Sequence, residues 1–120
     1  MASLRNSPVD GKVAEAASIF SALGDETRLR IVTRLCRSGP QSIVRLTEGS
    51  RVTRQAVTKH LLALANAGLV RGERVGRETV WELQPRRLAE VRRYLDAISA
   101  QWDEAIGRLK KFVETPASKA

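Results

Sequence analysis

Apolar residues recur along this chain in two rhythms, and the changes between them mark out its elements. Between residues 9 and 23 (VDGKVAEAASIFSAL), Val13, Ala16, Ala17, Phe20 and Leu23 fall three or four apart, the spacing of one helix face. Gly24 ends that helix, and Asp25 is placed to cap the next one with Glu26 near its positive end. The second helix, ETRLRIVTRLCRS, is expected to bury Leu29, Ile31, Val32, Leu35 and Cys36 before Gly39-Pro40 breaks it. Ser42 can cap a short third helix, SIVRLTE, whose Ile43 and Leu46 face inward.

After a tight connection at Gly49-Ser50-Arg51-Val52, Thr53 caps a fourth helix in which Val57, Leu61, Leu64 and Ala65 share a face. Residues 100° apart around the axis place Gln55, Lys59 and Leu62 opposite that face, with Thr58 beside them. Arg54, Gln55 and Ala56 occupy the first turn, where free N–H groups favour phosphate. The helix is thus polar in front and oily behind, and Gly68 stops it.

The rhythm then shortens. Val70–Val75 and Thr79–Leu83 read as strands around a Gly76-Arg77 turn, with Arg71, Arg74 and Arg77 on the strand and its tip. From Pro85, a helix-start residue, the helical spacing resumes. Leu88, Val91, Leu95, Ile98, Trp102, Ile106, Leu109 and Val113 follow at steps of three and four, close to a heptad seam. A helix of nearly 30 residues spans roughly 45 Å, more than so small a body can cover. Part of its stripe is therefore expected to pack on a second subunit.

Composition and charge sharpen this outline. With 120 residues and 42% hydrophobic content the chain reads as a single globular domain. No apolar run approaches the roughly 20 residues a membrane span needs. The opening MASLRNSPVDGKV lacks the apolar core of a secretory signal, and a cytoplasmic location is the simplest expectation. The net charge of +8 is unevenly spread. Residues 28–93 hold fifteen Lys and Arg against five Asp and Glu, whereas 94–120 balance and 1–27 are slightly acidic. A basic middle attracts a polyanion, nucleic acid above all. The sequence contains no internal repeat. Residues 1–8 are read as a flexible tail, 9–114 as one domain ending in a dimerisation helix at about 85–114, and TPASKA (115–120) as a loose end.

A short helix, a turn and a polar-fronted helix make a helix-turn-helix, and the arginine-bearing hairpin after it makes a wing. The expected fold is mainly α with a small β-hairpin: a winged helix-turn-helix, dimeric through its N- and C-terminal helices. In that setting Gln55 suits adenine, Lys59 guanine acceptors, and the Thr58 methyl thymine. Arg51, Thr53, Arg54, Arg71, Arg74 and Arg77 join them as the candidate nucleic-acid contacts, the arginines on phosphates or in the minor groove. Arg28, Arg30, Arg34 and Arg37 are expected to be solvated or in surface ion pairs. The candidate dimer interface comprises Val13, Ala17 and Phe20 with Leu95, Ile98, Trp102, Ile106 and Leu109. His60 beside the buried stripe reads as a packed, hydrogen-bonded residue, and Trp81 and Trp102 as packing groups.

The order of elements, with ALGDETRLRIVTRL (22–35), VTRQAVTKHLLALANAGLV (52–70) and RGERVGRETVWEL (71–83), resembles the ArsR family of small dimeric winged-helix regulators. The resemblance implies a homodimeric repressor binding pseudo-palindromic double-stranded DNA near its own or a neighbouring promoter, although activation stays open. Many relatives of this kind release DNA on binding a metal, through a cysteine pair in the third helix or Asp, His and Glu ligands on the C-terminal helices. Here the third helix has neither Cys nor His, and the last helix has no His. One Cys and one His per subunit cannot furnish three or four converging soft ligands. The chain therefore resembles the branch without metal ligands; no cofactor is expected, and the effector is unknown. Alternatives are a winged-helix module for protein or RNA, and a sensor holding a small apolar effector between the dimer helices. No nucleophile, base and orienter assemble, and no glycine loop cradles phosphate, so an enzyme is not expected.

Overall fold

The computed structural model describes residues 8–114; the two tails read from the sequence lie outside them, save that Pro8 already belongs to the first helix. The element order is α1 (Pro8–Leu23), α2 (Glu26–Ser38), β1 (Gln41–Ser42), α3 (Ile43–Thr47), α4 (Arg54–Asn66), β2 (Val70–Val75), β3 (Glu78–Leu83) and α5 (Pro85–Glu114). All five helices and the hairpin fall where the sequence pattern puts them, to within a residue at most ends.

The caps act as expected. The Asp25 carboxylate accepts the Arg28 N–H at 3.0 Å, Ser42 Oγ accepts that of Arg45 at 3.3 Å, and Thr53 Oγ1 that of Ala56 at 3.1 Å. Each satisfies an N–H that the first helical turn leaves without a partner. Gly39, with φ of 72°, closes α2 by donating to the Leu35 carbonyl.

The sheet holds one strand more than the hairpin. β1, only two residues long, pairs antiparallel with β3 through Gln41↔Trp81 and Ser42↔Val80, giving the order β1-β3-β2. In the hairpin turn the only positive φ is at Gly76, the pattern of a type II′ turn. Gly72, opposite Trp81, is a glycine for a different reason. A Cβ there would stand 3.0–3.1 Å from Thr79 Cγ2 and the Trp81 ring.

The core gathers Ile19 and Ala22 of α1, Ile31, Val32 and Leu35 of α2, Leu46 of α3 and Val57, Leu61 and Leu64 of α4. Leu69, Val70, Trp81 and Val91 complete it, and Leu61, Leu64 and Leu69 have no exposed surface. Two expected core positions are corrected: Leu29 is 48% exposed, and Cys36 is exposed. Both lie roughly 90–110° around α2 from the centre of the Ile31–Val32–Leu35 stripe, too far to reach the body. On α1 the buried side is Ala16, Ile19 and Ala22, while Val13, Ala17 and Phe20 face outward.

The seam of α5 divides in the same way. Val91 enters the core and Leu88 packs on it, but Leu95, Ile98, Trp102, Ile106 and Leu109 are exposed in the single chain. The helix runs out beyond the body, so the radius of gyration is 20.4 Å, against about 13 Å for a compact 100-residue domain.

Candidate nucleic-acid interface

The polar head of α4 stands on a buried back. Val57, Leu61 and Leu64 fix the helix to α1, α2 and α3, so the opposite face turns outward. Gln55 and Lys59 lie there, exposed, with half-buried Thr58 beside them, and Arg54 is exposed in the first turn, on the flank nearer the buried stripe. Thr53, Arg54, Gln55, Ala56, Thr58 and Lys59 line one open depression at the start of the helix.

Their hydrogen bonds separate two groups. Thr53 is occupied as the cap, and the Thr58 hydroxyl donates to the Arg54 carbonyl at 2.8 Å, which leaves its methyl as the free contact surface. Arg51, Arg54, Gln55 and Lys59 have no side-chain hydrogen bond or ion pair to any described residue. A set of free donors around a helix N-terminus is suited to an extended anion with acceptor groups of its own.

The wing supplies a second set, less uniform than the sequence suggests. Arg77, at the turn, is exposed and unpaired among the described residues. Arg74 Nε donates to the Gly76 carbonyl at 3.4 Å, folding back on the turn. Arg71 faces Glu82 across the ladder, and its Nη2 donates to Oε1 at 3.0 Å. Arg71 is thus part of an intramolecular pair at the wing's base, while Arg77 is the cation that projects.

Two arginines outside the candidate set also matter. Arg34 of α2 is not merely solvated: its Nη1 donates to the carbonyls of Leu46 and Glu48 at 3.4 Å each, closing the C-terminal end of α3. It ties the second helix to the turn that leads into α4. Arg45 of α3 is exposed and unpaired among the described residues, a further free cation of the helix-turn-helix. Its position in a short amphipathic helix gave no signal separating it from a solvated side chain. Arg30 forms the expected surface pair with Glu26 at 3.4 Å, whereas Arg28 is half-buried with its Nε unpartnered.

His60 lies between the core and the polar face. Its Nδ1 is 3.9 Å from Asp25 Oδ1, joining the recognition-type helix to the cap of α2. The Asp25 carboxyl is held below its ordinary value, first by the Arg28 backbone N–H; desolvation opposes this next in weight, and the charges of His60 and Arg28 lower it further.

Comparison with known proteins bears on the family and the fold. Residues 25–71, from the cap of α2 to the first wing strand, match the model of the bacterial regulatory protein arsR family. The HTH-type transcriptional regulator NmtR of Mycobacterium tuberculosis is 37% identical over 87 residues, 72% of each chain. The HTH-type transcriptional repressor SmtB of the same species is 34% identical over 91 residues, 76% of this chain and 65% of that protein. An ArsR-like transcriptional regulator from Rhodococcus sp. RHA1 superposes with a TM-score of 0.75 at 42% identity, covering 88% of this chain and 99% of that one. A homodimeric winged helix-turn-helix DNA-binding domain from Mycobacterium bovis, Mb0332, shares the fold with a TM-score of 0.61 at 20% identity, covering 82% of this chain and 88% of that one.

Proposed function

Because the chain belongs to the ArsR family of bacterial regulatory proteins, we propose that it is a homodimeric, DNA-binding transcriptional repressor acting in the cytoplasm, and not an enzyme. The observation that carries this reading is the head of α4, where Gln55 and Lys59, with Arg54 in the first turn, are exposed and have no partner among the described residues, on a helix whose other face is locked into the core. Each subunit presents that face to a major groove. Gln55 and Lys59 meet base edges, Thr58 offers its methyl, and Thr53 acts by holding the helix start. Arg51 and Arg54 meet phosphates, joined by Arg45. Arg77 reaches the minor groove or its phosphates from the wing tip, with Arg74 near it. Arg71, paired to Glu82, contributes least.

The dimer forms through Val13, Ala17 and Phe20 of α1 and Leu95, Ile98, Trp102, Ile106 and Leu109 of α5, which apart from Ala17 are among the large apolar groups that the single chain leaves exposed. Two copies then engage half-sites about one helical turn apart. Cys36 and His60 sit on different elements, α2 and α4, and His60 is turned to Asp25. The regulator accordingly works without a metal.

Fluorescence anisotropy on the gene's own upstream DNA and on a scrambled duplex, over a salt series, tests the proposal. Preference for the upstream fragment, falling steeply with salt and unchanged by EDTA or zinc, is expected. Gln55→Ala should weaken that preference by about 1–3 kcal/mol, whereas Arg77→Ala should lower affinity on both duplexes and reduce the salt slope by about one. Absence of duplex binding at low salt would overturn the reading.

A further inference from the structure

Beside the contact of α1 with α5 lies a groove of about 290 Å³ for which DNA binding provides no role. Its floor is apolar, formed by Ala16 and Ile19 from α1 and Val91, Tyr94 and Ala97 from α5. Lys12 and Glu15 edge it on one side, Glu90 and Arg93 on the other.

The two carboxylates are already engaged. Glu90 Oε2 accepts from Arg87 Nη1 at 3.0 Å, and the same nitrogen lies 4.0 Å from Glu15 Oε2. Arg86 Nε stands 4.0 Å from the other Glu90 oxygen. Lys12 and Arg93 have no hydrogen bond or ion pair to any described residue. Among the described residues the uncompensated charge at the rim is therefore positive, and it comes from both walls.

The groove faces away from most of the stripes assigned to the second copy and meets them at one edge, where the Tyr94 ring lies against Phe20 with centroids 6.3 Å apart. On α5, Glu90, Arg93, Tyr94 and Ala97 centre about 120° around the helix from Leu95, Ile98 and Trp102. On α1, Lys12, Glu15, Ala16 and Ile19 centre about 120° from Val13, Ala17 and Phe20. A partner seated on the stripes need not enter the groove. Its volume is at the lower end of the range for small-molecule sites, about 300 Å³ and upward, and those sites share its mixture of apolar walls and a few polar groups.

We propose that this groove binds a small organic anion with an apolar body, its carboxylate or sulfonate held by Lys12 and Arg93 and its body laid on Ile19, Val91 and Tyr94. This site does not depend on whether the chain binds DNA. Both cations are exposed and lie on regular helices, so they can be changed without opening the core.

The test is a fluorescence titration of the full chain with 1-anilinonaphthalene-8-sulfonate, an aromatic sulfonate. Binding should saturate at one dye per subunit. Arg93→Glu, which reverses a rim charge, and Ala97→Trp, which fills the floor from an exposed position, should each weaken it by roughly tenfold or more. Trp102→Ala, on the dimer stripe, should not abolish it, and Val44→Ala, at an exposed apolar position of α3, should leave it unchanged. The proposal is overturned if neither groove variant weakens the dye, if Trp102→Ala alone abolishes binding, or if no saturable binding occurs because the partner subunit fills the groove.

Discussion

The imidazole of His60, on the helix that carries the candidate base contacts, lies 3.9 Å from the carboxylate of Asp25, the residue that caps α2. One carboxyl group thus serves a helix cap and an inter-helix contact together. Its proton affinity is lowered, chiefly by the Arg28 N–H, so Asp25 adds stability above the ordinary carboxylate value and loses it as pH falls through the depressed one. Thermal melts from pH 7 to pH 3 should show the wild type losing stability more steeply than Asp25→Asn below about pH 4. At neutral pH Asp25→Asn, which retains a capping side chain but no charge, should melt lower. Parallel pH profiles for the two proteins would refute this account.

Thr53 holds the first turn of α4. Removing its hydroxyl in Thr53→Ala should cost about 1 kcal/mol, read as a lower denaturant midpoint at unchanged slope. DNA affinity should fall with it, because the frayed turn carries Arg54 and Gln55. Thr53→Ser should retain both properties. If Thr53→Ala lost DNA affinity with no change in stability, the hydroxyl would have to be a direct contact.

Gly72 leaves room for the Trp81 ring, and a Cβ would meet it at 3.1 Å. Gly72→Val is expected to destabilise by about 1–3 kcal/mol through overpacking at the base of the wing. In a Trp102→Phe background, the emission of the buried Trp81 should move to longer wavelength as the ring is displaced. An unshifted spectrum and unchanged midpoint would show that the wing absorbs the methyl groups.

Ile98 is 39% exposed in the single chain, on the stripe assigned to the second copy. Ile98→Asp would bury a carboxylate in that interface and should convert the dimer to monomers in sedimentation velocity, while the circular dichroism of the helices persists. A variant that sedimented like the wild type would place the interface elsewhere.

Legibility followed the length of the pattern. α5 is legible over eight apolar positions, and α2, α3 and α4 are framed by caps and breakers of their own, at Asp25, Ser42, Thr53, Gly39 and Gly68. β1 could not be read, because two residues have no period; Gln41 and Ser42 become a strand only when Trp81 and Val80 arrive beside them. Apolar character alone puts Leu29 and Cys36 in the core, whereas the angle around α2 decides which residues reach the body. For the candidate interface, residue type identified Gln55 and Lys59, but only coordinates separate the free Arg77 from Arg71, which is held by Glu82. Arg34 was equally hidden, since its two carbonyl acceptors lie twelve and fourteen residues away.

The two residues of β1 have a kinetic consequence. They link the wing's inner strand directly to the start of the helix-turn-helix, with Ser42 both paired to Val80 and capping α3. The wing is therefore tied to the helix-turn-helix in the free protein, so little loop entropy is lost when the two meet a duplex together. Capture should then be limited by diffusion along the field of the basic middle, with salt slowing arrival far more than it alters any folding step.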